Sequence, residues 1–462
     1  MYSLFSSDVR QLNSLYNRPQ FSFVFLYGRY GTGKTRLVRE FCREKRTLFF
    51  STPEATPDRQ LQTFHHEVIR CLKPSKIPAA FANWEQAFSC VSDLSFTHRT
   101  VLVLDEFQRL IQNVPDFLDA LTHAVHHIFP SGKVFLILTC SAPAYAKKLM
   151  EAPVTPPFDA ITARACLDSV PFYTCQPHLS AYTPAEQAVL YGITGGLPAN
   201  LERLDQNRTA RENILELFFY PDAPLLFAPQ TYLHTELREI STYNQLLEII
   251  ANGCTRLADI AAAARTGTNK CAKYLSTLIE LGILRKEFPA IGDLQKKVRY
   301  VFSDQMLRFW YRFIYPNTSG ILSGDGARIY EEEVLPHMHT YLLPVFEILC
   351  AAYLERLADT GQTPFVYHHT GAWWCGGTKR EPFFRIPLVA SDAAHTVLGT
   401  CHCDHAPAGI SCLEDLMRPL EPFGDKKRYC CIFSASGFTP DLKEAAAEKD
   451  NVWLIDLEDI TA

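Results

Sequence analysis

No apolar run in this 462-residue sequence is long enough to span a bilayer. Stretches such as "FSFVFLY" and "VFLILTC" stop at seven residues, where a spanning helix needs about 20. The N-terminus "MYSLFSSDVR" has no charged segment followed by an apolar core, so no secretory signal is expected. Neither charge sign dominates. The net charge of −5 gives no general attraction to nucleic acid or membrane, so any basic surface must be local. The 15 cysteines are scattered and form no disulfide framework. Without a signal they are expected to be reduced thiols, mostly in cores, in a cytoplasmic protein. Repeats and low-complexity tracts are also missing. What is there suits a globular chain: 47% hydrophobic and 21% charged residues. Its length exceeds one ordinary core and predicts two to four domains.

The strongest local signal is "FSFVFLYGRYGTGKTRLVREFC", residues 21–42. Phe21–Tyr27 reads as a buried strand, and "GRYGTGKT" matches G-x-x-x-x-G-K-[ST]. "TRLVREFC" then carries Leu37, Val38 and Phe41 at helical spacing. Strand, glycine loop and helix form the context the motif requires, against a chance Gly-Lys-Thr turn. Gly28, Gly31 and Gly33 let the loop curl so that its N–H groups face phosphate oxygens, and the helix start adds its positive end. The predicted cradle is Gly28, Arg29, Tyr30, Gly31, Thr32, Gly33, Lys34, Thr35 and Arg36. Lys34 should reach the β- and γ-phosphates of ATP, and Thr35 should ligate Mg²⁺.

The partner site is "TVLVLDEFQRL" (100–110), a buried strand with acids at its C-terminal end, where ligands of parallel sheets sit. Asp105 is expected to hold Mg²⁺ and Glu106 to orient or activate the attacking water. A third strand, "KVFLILTCSAP" (133–143), ends in Thr139 and Ser141. Two readings stand side by side: contact with the γ-phosphate or water, or capping of a helix that starts near Pro143. Alternating strands and helices imply a parallel sheet covered on both faces. His65, His66, His123, His126 and His127 lie in helical stretches without an evident acidic partner and read as ordinary helix histidines.

"AYTPAEQAVLYGITGGLPANLERL" (181–204) reads as two helices broken at Gly195-Gly196, with Pro198 in the first turn of the second. Helix punctuation alone accounts for this pattern; the functional reading is a lid, with Pro198 and its neighbours expected over the adenine. Residues 221–229, "PDAPLLFAP", read as a linker. Residues 241–288 read helix, turn, helix, turn, helix, burying Leu246, Leu247, Ile249, Ile250, Leu257, Ile260, Leu275, Leu278 and Ile279. A hairpin with its turn near Gly292-Asp293 completes a winged helix. Residues 254–302 hold nine basic residues and four acids, a local +5, the footprint expected for duplex DNA. The alternative is a lid or dimer surface, since Asn269, Lys270 and Lys273 are the only candidate readers on the third helix. "FWYRFIYPN" (309–317) is expected in a core.

"YGRYGTGKT", "VLVLDEFQRL", "FLILTCSA", "TGGLP" and "YVFSDQMLRFWYRFIYPN" occur in the order seen in the archaeal-type P-loop ATPases, a branch of the AAA/STAND-like NTPases that the chain resembles over nearly its whole length. The resemblance implies an α/β fold in four parts. These are a P-loop NTPase core with a parallel sheet (1–175), a helical lid (176–228), a winged-helix domain (229–318) and a C-terminal α/β nuclease-like domain (319–462). ATP and Mg²⁺ are the implied cofactors. Duplex DNA, a protein partner or a homo-oligomer are the partners considered, and a membrane is not. The family's Tyr-Gly-Arg after the third strand is replaced by Asp159-Ala160-Ile161, with Arg164 out of register.

The nuclease-like part departs further. It has Glu347 and Trp373-Trp374, but Pro387 falls at the family's metal-binding Asp, Thr400 at its Glu and His402 at its Lys. Proline cannot coordinate Mg²⁺ and threonine carries no charge, so no nuclease activity is expected. Within "VLGTCHCDH" (397–405), Cys401 then reads as a buried structural thiol. The competing reading is a zinc site of Cys401, Cys403 and His405, with Cys375, converging through strand alternation.

Overall fold

The computed structural model describes residues 4–151, 153–237, 239–292, 298–367, 370–376, 383–418, 421–424 and 426–462. They divide into two compact units. One holds the chain up to Ser169 with Leu197–Ala199 and Glu280–Gly282, and the other holds the remainder.

The first unit is built on five parallel strands: β1 (Ser22–Tyr27), β2 (Thr47–Ser51), β3 (Thr100–Asp105), β4 (Val134–Cys140) and β5 (Ala163–Cys166). Their order is β2-β3-β4-β1-β5. β3 and β4 are buried at every position, and β1 at all but its last, as continuous apolar runs in a two-sided sheet should be. On one face Phe64, Trp84, Phe88 and Phe117 interlock with ring centroids 5.0–6.3 Å apart. The helix Lys34–Cys42 buries Leu37, Val38 and Phe41, and Phe41 meets Phe135 of β4 at 5.5 Å. Because β4 lies between β1 and β3, the register sets Tyr27 opposite Cys140 and Leu104 opposite Leu138. The C-terminal ends of all three strands therefore meet at one edge, and the site lies there.

Two histidines expected to lack acidic partners have them: His123 reaches Glu85 at 3.2 Å and His126 reaches Asp159 at 3.3 Å. Their partners are remote in sequence, so helical spacing could not reveal them. His65 is buried and meets the Pro78 carbonyl at 2.8 Å.

The helix Pro184–Thr194 of the second unit and the helix Pro198–Leu201, which starts among the residues of the first, flank Gly195 and Gly196, which take φ of +64° and +65°. Residues 221–229 are not a linker. Leu225 and Leu226 are buried, and the Leu226 carbonyl accepts from Trp310 Nε1 at 2.9 Å. The apolar Leu-Leu pair outweighs the prolines around it. Helices Ile240–Ala251, Leu257–Ala263 and Thr268–Glu280 precede β6 (Leu284–Glu287), which pairs antiparallel with β7 (Arg299–Phe302). Leu246, Leu247, Ile250, Ile260, Leu275 and Leu278 are buried as expected. Ile249, Leu257 and Ile279 are only half-buried, while Tyr243 and Cys271 complete the core. Trp310 and Tyr311 are fully buried, the latter donating to Asn244 Oδ1 at 2.7 Å. The hairpin-turn residue Asp293, with Lys296 and Lys297, lies outside the described residues.

A second sheet holds β8 (Gly371–Cys375), β9 (Phe384–Ser391), β10 (His395–His402), β11 (Lys427–Ser434) and β12 (Val452–Asp456). Its order is β12-β11-β10-β9-β8, parallel from β10 to β12 and antiparallel from β8 to β10. No described helix is long and apolar enough to cross a membrane.

Candidate nucleotide-binding site

The glycine loop leaves β1 at Gly28 with φ of +155° and enters its helix through Gly33 with φ of +86°. A Cβ at Gly28 would stand 2.0 Å from the Leu167 carbonyl oxygen, and one at Gly33 would stand 2.3 Å from Phe5 Cζ. Neither position admits a side chain, both for backbone angle and for space. Gly33 caps the helix without a side-chain bond, so the N–H groups of the first turn have no cap and suit an anion.

Lys34 is buried, and its Nζ donates to the carbonyls of Gly28 and Arg29, each at 2.8 Å. Burial pulls the Lys34 pKa below the usual lysine range, while Glu106 and other neighbours, Asp105 among them, push it back up. The Thr32 hydroxyl donates to the Arg29 carbonyl at 2.8 Å and so braces the loop from within. Arg29 is buried and pairs with Asp168 at 3.0 Å. Tyr30 is exposed. Leu197 Cδ1 lies 3.8 Å from where a Cβ on Gly31 would be, so Leu197, Pro198 and Ala199 pack within the loop's own unit.

Opposite the loop, Asp105 accepts from Thr139 Oγ1 at 2.5 Å and from Thr35 Oγ1 at 3.1 Å to both carboxylate oxygens. Burial raises the Asp105 pKa, which the bonds from Thr139 and Thr35 oppose. Glu106 takes a φ of +59°, a conformation that costs a residue with a Cβ roughly 1–3 kcal/mol and gathers at functional sites. Its amide donates to Thr139 Oγ1 at 3.0 Å, and the Phe107 amide donates to the Thr139 carbonyl at 3.0 Å. Its carboxylate accepts from Ser141 Oγ and, at 2.6 Å, from Gln108 Nε2.

The capping reading of Thr139 and Ser141 is overturned. The helix Pro143–Met150 has no side-chain cap, and both hydroxyls point at the two acids instead. The strand order explains this, since β4 is inserted beside β3. Arg164 lies on β5, with its Nη1 3.8 Å from Met150 Sδ. Sequence inspection missed Gln108 and Asp168. Gln108 follows Glu106 by two positions and was visible in the motif. Asp168 had no local signal, because its partner Arg29 lies in another loop.

The donor set fits a magnesium nucleotide. The oxygens of Thr35 and Asp105 stand together, beside a buried cation and a side-chain-free loop; hard oxygen donors of this kind suit Mg²⁺. One consequence concerns stability. A raised Asp105 pKa means that the folded chain holds this proton to a higher pH than the unfolded chain. Stability from this group is therefore greatest in acid and is lost as pH rises through the raised value, leaving ionised Asp105 as a cost at neutral pH. Asp105→Asn should raise the melting temperature of the nucleotide-free protein at pH 7 by about 2 °C, with the gap closing in acid. A lower melting temperature at pH 7 would contradict this account.

The positions compared with a nuclease in the sequence lie on the second sheet and the helix beside it. Glu347 lies on the helix Met338–Asp359 and is gripped by Arg385 of β9, at 2.5 and 2.9 Å. Pro387 is in β9, and Thr400 and His402 are in β10. β10 ends at His402, so Cys403 and His405 lie beyond the alternation that would have aligned them with Cys401. The His405 ring lies 5.5 Å from that of His339. Burial pushes the Cys403 thiol up to about 11. Cys401 is half-buried rather than buried. Among the described residues no group of three or more His, Cys, Asp or Glu is placed to hold a metal. Arg385→Ala should destabilise this unit by roughly 1–3 kcal/mol, because it strands a part-buried carboxylate. Denaturant unfolding of Arg385→Ala with Glu347→Ala should recover most of that loss.

An AAA-domain family matches residues 19–145, the span that holds both halves of the site. Residues 310–403 match a family described as archaeal and bacterial proteins of unknown function. These matches are consistent with the archaeal-type P-loop ATPases, which the chain resembles. It is 24% identical over 378 residues to an uncharacterized protein of Methanocaldococcus jannaschii, covering 80% of this chain and 81% of that one. Among solved structures it is similar to a Walker-type ATPase of Pyrococcus abyssi, with 16% identity and a TM-score of 0.50 over 66% of this chain and 95% of that one. The ORC2 protein of Aeropyrum pernix scores 0.49 at 14% identity, over 70% of this chain and 95% of that one. At 16% identity the likeness to the Pyrococcus abyssi ATPase is one of fold alone. The fold is α/β, a parallel P-loop sheet followed by a C-terminal mixed sheet.

Proposed function

We propose that the protein binds ATP with Mg²⁺ and hydrolyses it, and that turnover repositions a winged-helix module and a nuclease-like module without nuclease activity. The observation that carries this reading is the joining of two acids to the phosphate loop: Thr35 to Asp105, and Asp105 through Thr139 to Glu106. The loop amides and Lys34 bind and orient the phosphates. Thr35 and Asp105 would hold Mg²⁺, which supplies charge neutralisation at the transferred phosphoryl group. Glu106, fixed by Ser141 and Gln108, takes the proton of the attacking water. The functional divisions are read as 1–175 core, 176–228 lid, 229–318 winged helix and 319–462 nuclease-like domain.

Duplex DNA is the proposed partner of residues 254–302, supported by exposed Asn269, Lys270 and Lys273 on the helix Thr268–Glu280. A cytoplasmic location follows from the same reading. A second reading, a nucleotide-gated switch with little turnover, is favoured by Arg164 lying against Met150 and by Ile161 where the family carries arginine. Without an arginine at the transferred phosphoryl group intrinsic hydrolysis is slow. Filter retention of labelled ATP by the full chain, followed by phosphate release with and without Mg²⁺, tests the proposal. Retention with Mg²⁺-dependent release supports it, and no retention under either condition sinks it.

A further inference from the structure

The second unit contains a cavity of about 680 Å³, within the range of pockets that enclose small ligands. Its walls carry Arg285, Lys286, Arg299, Arg308, Arg312 and Arg385. Two carboxylates face them, Glu287 and Glu347. Both are engaged by one base: Arg385 grips Glu347 with two bonds and lies 3.8 Å from Glu287. Arg299, Arg308 and Arg312 feel Glu287 or Glu347 at most from a distance, and their close contacts are with neutral groups. Arg299 Nε donates to Thr255 Oγ1 at 2.9 Å. Arg308, itself 8% exposed, donates to Gln305 Oε1 at 2.8 Å and to the Tyr341 carbonyl at 2.6 Å. Arg312 lies 5.2 Å from the Phe313 ring centroid. Among the described residues none of these three has a carboxylate partner.

Burying guanidinium groups whose nearest carboxylates, Glu287 and Glu347, are engaged by Arg385 is unfavourable. Burial accordingly pulls the pKa values of Arg299, Arg308 and Arg312 below the usual arginine range. A chain with more acids than bases has nonetheless left this hollow short of them. The planar fork of arginine matches phosphate oxygens. The same wall presents two exposed aromatic rings, Phe288 and Phe383, and the Arg299 guanidinium lies 5.0 Å from the Phe383 ring centroid. Exposed rings beside cations suit a nucleobase. Arg308 lies too deep for the backbone of a duplex, whose phosphates ride on an outer surface.

We propose that this cavity binds a nucleoside phosphate, with phosphates at Arg299, Arg308 and Arg312 and the base against Phe288 and Phe383, as a second site separate from the P-loop. The ligand is a free nucleotide or the 5′-phosphorylated end of a single strand, since both present the same chemistry. Arg385 neutralises Glu347, so the cavity is left to bind rather than to hold a metal on that acid.

The test uses the full chain carrying Lys34→Ala, so that its outcome is independent of the P-loop. Labelled ADP and a labelled 5′-phosphorylated tetranucleotide are each titrated by equilibrium dialysis, with pyrophosphate as competitor. One saturable site for either probe, displaced by pyrophosphate, is expected. ADP binding identifies a free nucleotide, and binding of the tetranucleotide alone identifies a strand end. Adding Arg299→Gln or Arg312→Gln should weaken the bound probe at least tenfold, and Arg285→Gln, at the exposed rim, far less. Arginine-selective labelling with phenylglyoxal, read by mass spectrometry, needs no second substitution: the bound probe should protect Arg299 and Arg312. Absence of binding by both probes, or binding that neither protects those arginines nor responds to their substitution, overturns the proposal.

Discussion

Glu106→Gln should lower ATP turnover by about 10²–10⁴-fold, the usual contribution of a positioned general base, while ATP affinity stays within about threefold. The reason is local. The Glu106 carboxylate accepts one bond from Ser141 and one from Gln108. A glutamine can keep both contacts by turning its oxygen to Gln108 and its amide to Ser141, whose hydroxyl can accept as well as donate. The backbone at φ of +59° is set by the Thr139 bonds, not by the side-chain charge. What is lost is the capacity to take a proton from water. Single-turnover phosphate release, measured beside filter binding, separates the two effects. Release at the wild-type rate would remove Glu106 from the chemistry. In cells the same substitution divides the two functional readings: an engine should stall with ATP bound, whereas a switch should keep working or stay on.

Lys34→Ala should instead abolish retention of ATP. Lys34 is a buried cation whose bonds go to two loop carbonyls, and its charge faces Glu106 and Asp105. A triphosphate entering the loop would meet those acids with no cation between. Removing one partner from a buried charge pair costs about 2–5 kcal/mol, or roughly 30- to 3,000-fold in affinity. The loop would also lose the tie between Gly28 and Arg29. Nucleotide titration in the presence of Mg²⁺ measures the loss. Affinity within threefold of wild type would show that the lysine does not reach the phosphates.

These two effects rest on residues that short-range pattern alone could find. "GRYGTGKT" after an apolar run, and "DE" at the end of another, each carry their chemistry within a few positions. The angles at Gly28 and Gly33 follow from the same constraint, because only glycine fits. Patterning also marked the three helices around Leu246, Ile260 and Leu275, since burial follows the helical period. It overreached at Ile249, Leu257 and Ile279, which lie at the edges of their apolar faces and stay half-buried. It failed at residues 221–229, where prolines suggested a linker but two leucines found a core.

The sequence by itself thus determined the phosphate loop and the acidic strand end, because each depends on residue type at a fixed local spacing. Tertiary structure alone decided the rest. It turned Thr139 and Ser141 from caps into supports for Asp105 and Glu106, by inserting β4 beside β3. It joined Arg29 to Asp168 and Arg385 to Glu347, and it gathered five arginines around one hollow. Such pairings link residues far apart along the chain, and only the packing of elements brings their charges within reach of one another.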